Sequence, residues 1–168
     1  MTEPLVSLAP LVSSQTRLLI LGSFPGVASL KAQQYYGHPQ NHFWRILQAI
    51  IPPIPVTTGA SSYQIRSDWL LSKGLGLWDV YASCEREGSL DSSIRNAVLN
   101  DFSVLKRLCP NLRAIAHNGG ESFKHSKPTQ TLGLPVYRLP STSPANASWS
   151  FERKLAAWRE VFEKHGLI

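Results

Sequence analysis

Cysteine is nearly missing from this chain: Cys84 and Cys109 are its only two, far apart and in no CxxC spacing. That excludes a zinc ribbon, an iron–sulfur cluster and a disulfide framework, and makes a reducing compartment the default. The five histidines fall in no ligand spacing, so no metal site is expected. No block of five basic residues occurs, which argues against a disordered nucleic-acid arm. The opening MTEPLVSLAPLVSSQ has no basic start and is broken by prolines, so neither a signal peptide nor a membrane span is expected there. Repeats and linkers are missing too, and residues 1–168 read as one domain with residues 1–16 as an irregular lead-in.

What is present is a core and a positive balance. Hydrophobic residues make up 43% of the chain, enough for a real core. Lys plus Arg number 17 against 11 acids, a formal charge of +6. A basic balance favours a polyanionic partner, although it bears on solubility as well.

The pattern along the chain is strands alternating with helices. Leu18 to Leu21 is a short apolar run stopped by Gly22 and Pro25, which suits a buried parallel strand. Asn41 opens a helix in which Phe43, Trp44, Leu47, Ile50 and Ile51 share a stripe. The segment IPPIPVTTGA then reads as extended connector, and Ser61 or Ser62 caps a helix running toward Gly74. Leu75 to Tyr81 is the second strand, followed by a polar loop, SCEREGSLDSSI, and a helix through Ile94 to Leu99. Asp101 caps another helix bearing Phe102, Leu105 and Leu108. Leu112 to Ala116 is the third strand, running into His117-Asn118-Gly119-Gly120 and a short helix around Phe123. Leu134 to Leu139 is the fourth, and a last amphipathic helix carries Phe151, Leu155, Trp158 and Phe162.

Such alternation implies a three-layer α/β/α fold around a central, mostly parallel four-stranded sheet. Four polar loops then leave one edge of that sheet: Ser23 to Asn41, Asp79 to Ser93, His117 to Gly120 and Ser141 to Ser150. Ligand sites in this architecture form at that edge. From residue type alone Asn41 is a helix N-cap. Asp79 either binds a group in the site or caps the loop that follows, His117 and Asn118 are turn residues, and His125 and His165 are solvated. Arg86 either pairs with one of Glu85, Glu87 and Asp91 or touches phosphate.

GSFPG after the first strand, YYGHPQNHFW, LWDVYASCEREGSLDSSI and LPSTSPANAS, in that order, resemble the uracil-DNA glycosylase superfamily, and within it the hypoxanthine-DNA glycosylase branch most. The resemblance spans Arg17 to the last helix. It implies a cofactor-free, monomeric, intracellular hydrolase of cytoplasmic, nucleoid-associated type that acts on DNA containing deaminated bases and cuts the N-glycosidic bond. The mismatch-specific uracil branch resembles G-x-N-P-G at the first motif, with an asparagine that helps place water. Phe24 stands there in this chain, and phenylalanine cannot orient water. The hypoxanthine branch is thought to use the asparagine of its GHPxNxFW segment, which is Asn41 here.

On that resemblance Asn41 becomes the catalytic water-holder. Ser23, Phe24, Pro25 and Gly26 would surround the base, with Asn118 meeting its acceptor edge, His38 donating to base or phosphate, and Asp79 in the pocket. Tyr36 or Phe43 would stack on the extruded ring, leaving Trp44 to the core. Ser141, Thr142, Ser143, Pro144 and Ser148 would grip DNA phosphates, and Ala145 and Asn146 would fall where the family pushes a wedge into the duplex. Ala145 is small for a wedge, so weak flipping of well-paired bases is expected. No lysine other than Lys31 falls in the motif loops, which leaves a Schiff-base route without a nucleophile.

Overall fold

A computed structural model describes residues 3–52 and 62–168. Its centre is a four-stranded parallel sheet in the order β3-β2-β6-β7, formed by β2 (Leu18–Gly22), β3 (Leu75–Asp79), β6 (Ala114–Asn118) and β7 (Val136–Leu139). The expected fold class is the observed one. Every residue of β2 is buried, as a central strand covered on both faces requires. Its side chains alternate between two cores. A short helix, α1 (Val27–Ala32), follows β2. Leu18 and Ile20 face α2 (Phe43–Ile50), α3 (Ser62–Ser72) and α7 (Phe151–Lys164), meeting Phe43, Leu47, Leu70, Trp158 and Phe162. Leu19 and Leu21 face the other way, toward Phe102 and Leu105 of the short helix α4 (Leu105–Leu108) and its lead-in. The Trp158 indole N–H donates to Pro140 O at 3.0 Å, tying α7 to the chain leaving β7.

Four segments depart from the sequence expectation, the first three for want of a periodic apolar signal. The lead-in is ordered: β1 (Leu5–Val6) pairs antiparallel with β4 (Tyr81–Glu85), and Leu11 bridges Leu77. Ser83 to Glu85, expected as polar loop, are therefore strand, and Tyr81, expected at the end of the second parallel strand, opens β4 instead. Residues 94–99, expected as a helix, form β5 (Arg95–Leu99), the third strand of this small antiparallel sheet. All five β5 residues are exposed, and Asn96 at φ 52° sits in left-handed backbone that no helix interior admits. The third parallel strand starts two residues later than expected, because Arg113 and Ala114 both donate from their N–H groups to Arg17 O.

That shift moves His117 and Asn118 out of the turn and onto the end of β6. His117 is wholly buried, its ring bonded to Ser122 Oγ at 2.8 Å and Thr129 Oγ1 at 2.9 Å, and burial lowers its pKa to about 4. Ser122 and Thr129 lie on two short helices, α5 (Gly120–Phe123) and α6 (Ser126–Gln130). His125 and His165 are likewise not simply solvated, since their rings bond Tyr81 Oη at 2.9 Å and Tyr137 Oη at 2.7 Å. The connector and the Ser61 cap lie in residues 53–61, outside the described residues.

Candidate active site

The four parallel strands end in register: Gly22 stands beside Asp79, and Asn118 beside Leu139. Over those ends lies a cleft of about 710 Å³, within the usual span for small-molecule sites. Its walls come from all four loops, with Gly22 to Ser29, Ser89 to Ser92, Asn118 to Gly120 and Arg138 to Asn146 joined by Tyr36, His38, Asn41 and Asp79. The sequence-predicted site residues Ser23, Phe24, Pro25, Gly26, Ser141, Thr142, Ser143, Pro144, Ala145 and Asn146 all line it. Ser148 does not. It is exposed beyond the rim, 3.4 Å from Asn146 Oδ1.

The floor is built from Gly22, Asp79 and Tyr36. Asp79 is 4% exposed and accepts from Ser7 Oγ at 3.0 Å, a bond supplied by the ordered lead-in. Burial pushes its carboxyl up to about 7. Glycine at 22 makes room for this group, because a Cβ there would lie 2.6 Å from Asp79 Oδ1 and 3.4 Å from Tyr36 Oη. Gly22→Ala is therefore expected to displace the carboxylate, cost about 1–3 kcal/mol as overpacking does, and impair ligand binding more than stability. Urea denaturation alongside a binding titration checks the ordering.

Tyr36 adopts left-handed backbone at φ 55° and stacks on Phe43, ring centroids 4.2 Å apart at 22°. Phe43 is wholly buried in the core and does not reach the cleft, whereas Trp44 is half-buried. Trp44 packs against the core as expected, but Phe43 does not stack on a ligand. Phe43 lies on the inward stripe of α2 and supports Tyr36, whose ring lines the cleft.

Asn41 sits just ahead of α2 and both of its sequence readings meet there. Its Oδ1 accepts from Phe43 N–H at 2.9 Å, which is capping geometry, and it lines the cleft. A carbonyl oxygen has two lone pairs, so one remains for a second donor. The next residue, His42, donates from its N–H to Thr142 O at 2.9 Å, joining the Asn41 segment to the loop after β7. Lys154, nearly wholly buried on α7, places its Nζ 3.3 Å from His42 Nδ1, and His42 is held below the ordinary histidine range chiefly by burial. His38 accepts at Nδ1 from Gln40 N–H at 3.1 Å, leaving Nε2 as the outward group.

Asn118 is more committed than expected. Its Nδ2 donates to Tyr36 Oη at 3.1 Å and Thr142 Oγ1 at 3.0 Å, while its Oδ1 accepts from Thr142 N–H at 3.0 Å. Both amide hydrogens are spent on holding three loops together, so only an acceptor lone pair is left for a ligand. Gly119, at φ 98°, lets this junction close, since a Cβ would meet Ser141 Cβ at 2.9 Å. The hydroxyl loop is folded by its own side chains: Ser141 Oγ accepts from Ser143 N–H at 3.1 Å and Ser143 Oγ from Ala145 N–H at 3.2 Å. Their hydroxyl protons stay free to donate outward. Ser150, rather than Ser148, caps α7, accepting from Arg153 N–H at 3.2 Å.

The sequence places the Asp79 to Ser93 loop at this edge but singles out none of Ser89, Leu90 and Ser92 as site residues, nor Arg138 or Trp149, all of which line the cleft. Ser23 Oγ donates to Asp91 Oδ1 at 2.7 Å, and Val27 N–H to Ser89 Oγ at 2.9 Å, bonds between loops far apart in sequence. Arg86 pairs with no acid. It is buried over the Phe24 ring and donates to Pro25 O at 2.6 Å and Gly88 O at 2.8 Å, pinning both loops. Among the described residues no group of three His, Cys, Asp or Glu side chains could hold a metal, and no helix is long and apolar enough to cross a membrane.

A cleft floored by a tyrosine and a buried carboxyl, edged by a hydroxyl-rich loop and set at the strand ends of a parallel sheet, is a ligand site of the kind enzymes of this architecture carry. Residues 9–162 match the Uracil DNA glycosylase superfamily, and the chain belongs to it. Its relatives include the hypoxanthine DNA glycosylase of Methanosarcina barkeri, 37% identical over 92% of this chain and 96% of that protein. That of Methanosarcina acetivorans is 38% identical over 90% and 93%. A solution NMR structure from Methanosarcina acetivorans, described as a candidate uracil DNA glycosylase, superposes with a TM-score of 0.85 at 34% identity, covering 98% of this chain and 99% of that one.

Proposed function

We propose that this protein is a monofunctional DNA glycosylase of base-excision repair that hydrolyses the N-glycosidic bond of deoxyinosine in DNA and releases hypoxanthine. Relatives bearing that activity in their names align over nearly their whole length. The observation that carries the mechanism is Asn41, held at the cleft wall by Phe43 N–H with one carbonyl lone pair to spare.

The nucleotide leaves the stack, at a cost of a few kcal/mol that a mispaired inosine reduces, and its base enters the cleft. As the C1′–N9 bond stretches, its electron pair moves onto the purine and the sugar becomes oxocarbenium-like. Water held by Asn41 Oδ1 bonds to C1′, and the proton it loses ends on the departing base through solvent. A cationic sugar demands little of its nucleophile, so orientation matters more than basicity. Tyr36 stacks on the base from its Phe43 support. Its phenol, raised by burial, stays protonated as a donor. Asp79 accepts from the N1–H that hypoxanthine has and adenine lacks, and Asn118 Oδ1 offers a second acceptor. His38, Ser141, Ser143 and the backbone around Pro144 take the flanking phosphates. The superfamily resemblance supports a monomer that acts on DNA inside the cell.

The test is alkaline strand cleavage of labelled duplexes carrying one hypoxanthine, uracil or xanthine, with enzyme in excess. Cleavage at hypoxanthine is expected. Cleavage at uracil alone, or at none of the three, overturns the assignment.

A further inference from the structure

The Ser89–Ser92 wall carries an oddity. Leu90 is 55% exposed and Val27 52% exposed, and both line the cleft. A scattered surface leucine needs no explanation, but these two sit on loops hydrogen-bonded to each other at the mouth of a base-sized site. Their positions are also fixed. Arg86 bonds Gly88 O and Pro25 O, Ser89 takes Val27 N–H, Asp91 takes Ser23 Oγ, and Ser93 N–H closes a turn on Leu90 O at 3.1 Å. Five hydrogen bonds around one residue hold its backbone still while its side chain is left in water. The neighbours Ser89, Asp91, Ser92 and Ser93 are all polar, so Leu90 is the single large apolar side chain the loop presents.

A base in a duplex reaches such a cleft only by leaving the stack, and the gap it leaves closes again unless something fills it. Apolar side chains such as leucine serve between base steps, because they need no hydrogen-bond partner there and regain from the bases the contacts water denies them. On the opposite rim, the loop after β7 offers Pro144 and the methyl group of Ala145. We infer that the lip formed by Leu90 and Val27 is the element that enters the DNA stack, with Leu90 filling the space vacated by the flipped nucleotide. This rests on the glycosylase reading and supplies its missing wedge from the other end of the sheet.

The test compares Leu90→Ala and Leu90→Met with the unaltered enzyme in single-turnover release of hypoxanthine. One substrate is a duplex with inosine paired to cytosine, the other a single strand of the same sequence. A 2-aminopurine beside the lesion reports unstacking independently of cleavage. The lip predicts that Leu90→Ala loses at least about 10-fold on the paired duplex and less than about 2-fold on the single strand, with Leu90→Met largely restored and the fluorescence rise lost only in the alanine variant. Equal loss on both substrates makes Leu90 part of the pocket and overturns the proposal, as does no loss on either. Fluorescence that rises with the unaltered protein and not with Leu90→Ala, without base release, keeps the lip and discards the substrate assignment.

Discussion

Asn41→Ala lowers single-turnover release of hypoxanthine by about 100-fold or more and leaves binding to the lesion duplex within a few-fold. The magnitude follows from what one preorganised polar group contributes to a transition state of this kind, on the order of 10²–10³ in rate. Two roles of Asn41 have to be separated, because its Oδ1 also accepts from Phe43 N–H. Loss of that cap costs about 1 kcal/mol, enough to move a melting temperature but not to unfold the chain. Asn41→Ser separates them: a serine hydroxyl can cap Phe43 N–H but falls short of the water. Asn41→Ser with full stability and little activity supports the water-holding role. Near-normal release from either variant refutes it.

The second large effect concerns stability against pH. Asp79 has its carboxyl raised to about 7 by burial, so between about pH 4 and pH 7 the folded state binds a proton that the unfolded chain has already lost. Stability from this group is therefore complete below about pH 4 and lost as pH rises through about 7. A shift of this size corresponds to roughly 4 kcal/mol as an upper figure. Asp91 is raised in the same direction, also by burial, so the comparison must be between variants rather than along one curve. Asp79→Asn keeps an acceptor for Ser7 Oγ and removes the charge. It is expected to be more stable than the unaltered protein at pH 8 by a few kcal/mol and indistinguishable at pH 4, read from urea midpoints. Its amide oxygen still accepts from N1–H, so activity persists, and the pH dependence of kcat/KM near 7 flattens. A gap that persists at pH 4 removes the carboxyl as its cause.

The legible parts of this chain are those whose burial repeats with a period. β2 shows four apolar residues in a row because both its faces are covered, and α7 shows Trp158 and Phe162 four apart because one of its faces is. β5 carries no such mark: with all five residues exposed it is held by pairing to β4 alone, and pairing leaves no trace in residue type. The site divides in the same way. Asn41 and the loops at the strand ends stand out because short polar motifs follow apolar strands. The Phe43 reading fails because both Phe43 and Trp44 fit the helical stripe, and only the crossing with α7, where Phe43 meets Trp158, shows that Phe43 is enclosed. The sequence offers Arg86 a neighbouring acid or a phosphate, and only tertiary structure brings Phe24 and Pro25 O to it.

β2, like β6, is flanked by parallel neighbours on both sides and feeds both cores, and the Ser23–Gly26 loop grows directly from its end. Local opening free energies are highest in such doubly packed strands and lowest in sheets that are thin and wet. The molecule accordingly loosens from the small β1-β4-β5 sheet inward. The cleft is hung between the two regimes: its floor at Gly22 belongs to one of the two doubly flanked strands, and its Ser89–Ser92 wall connects β4 and β5 of the small sheet. Bonds to Pro25 O and Val27 N–H tie that wall back to the β2 end, so the small sheet can open locally while the chemical end of the site stays in place.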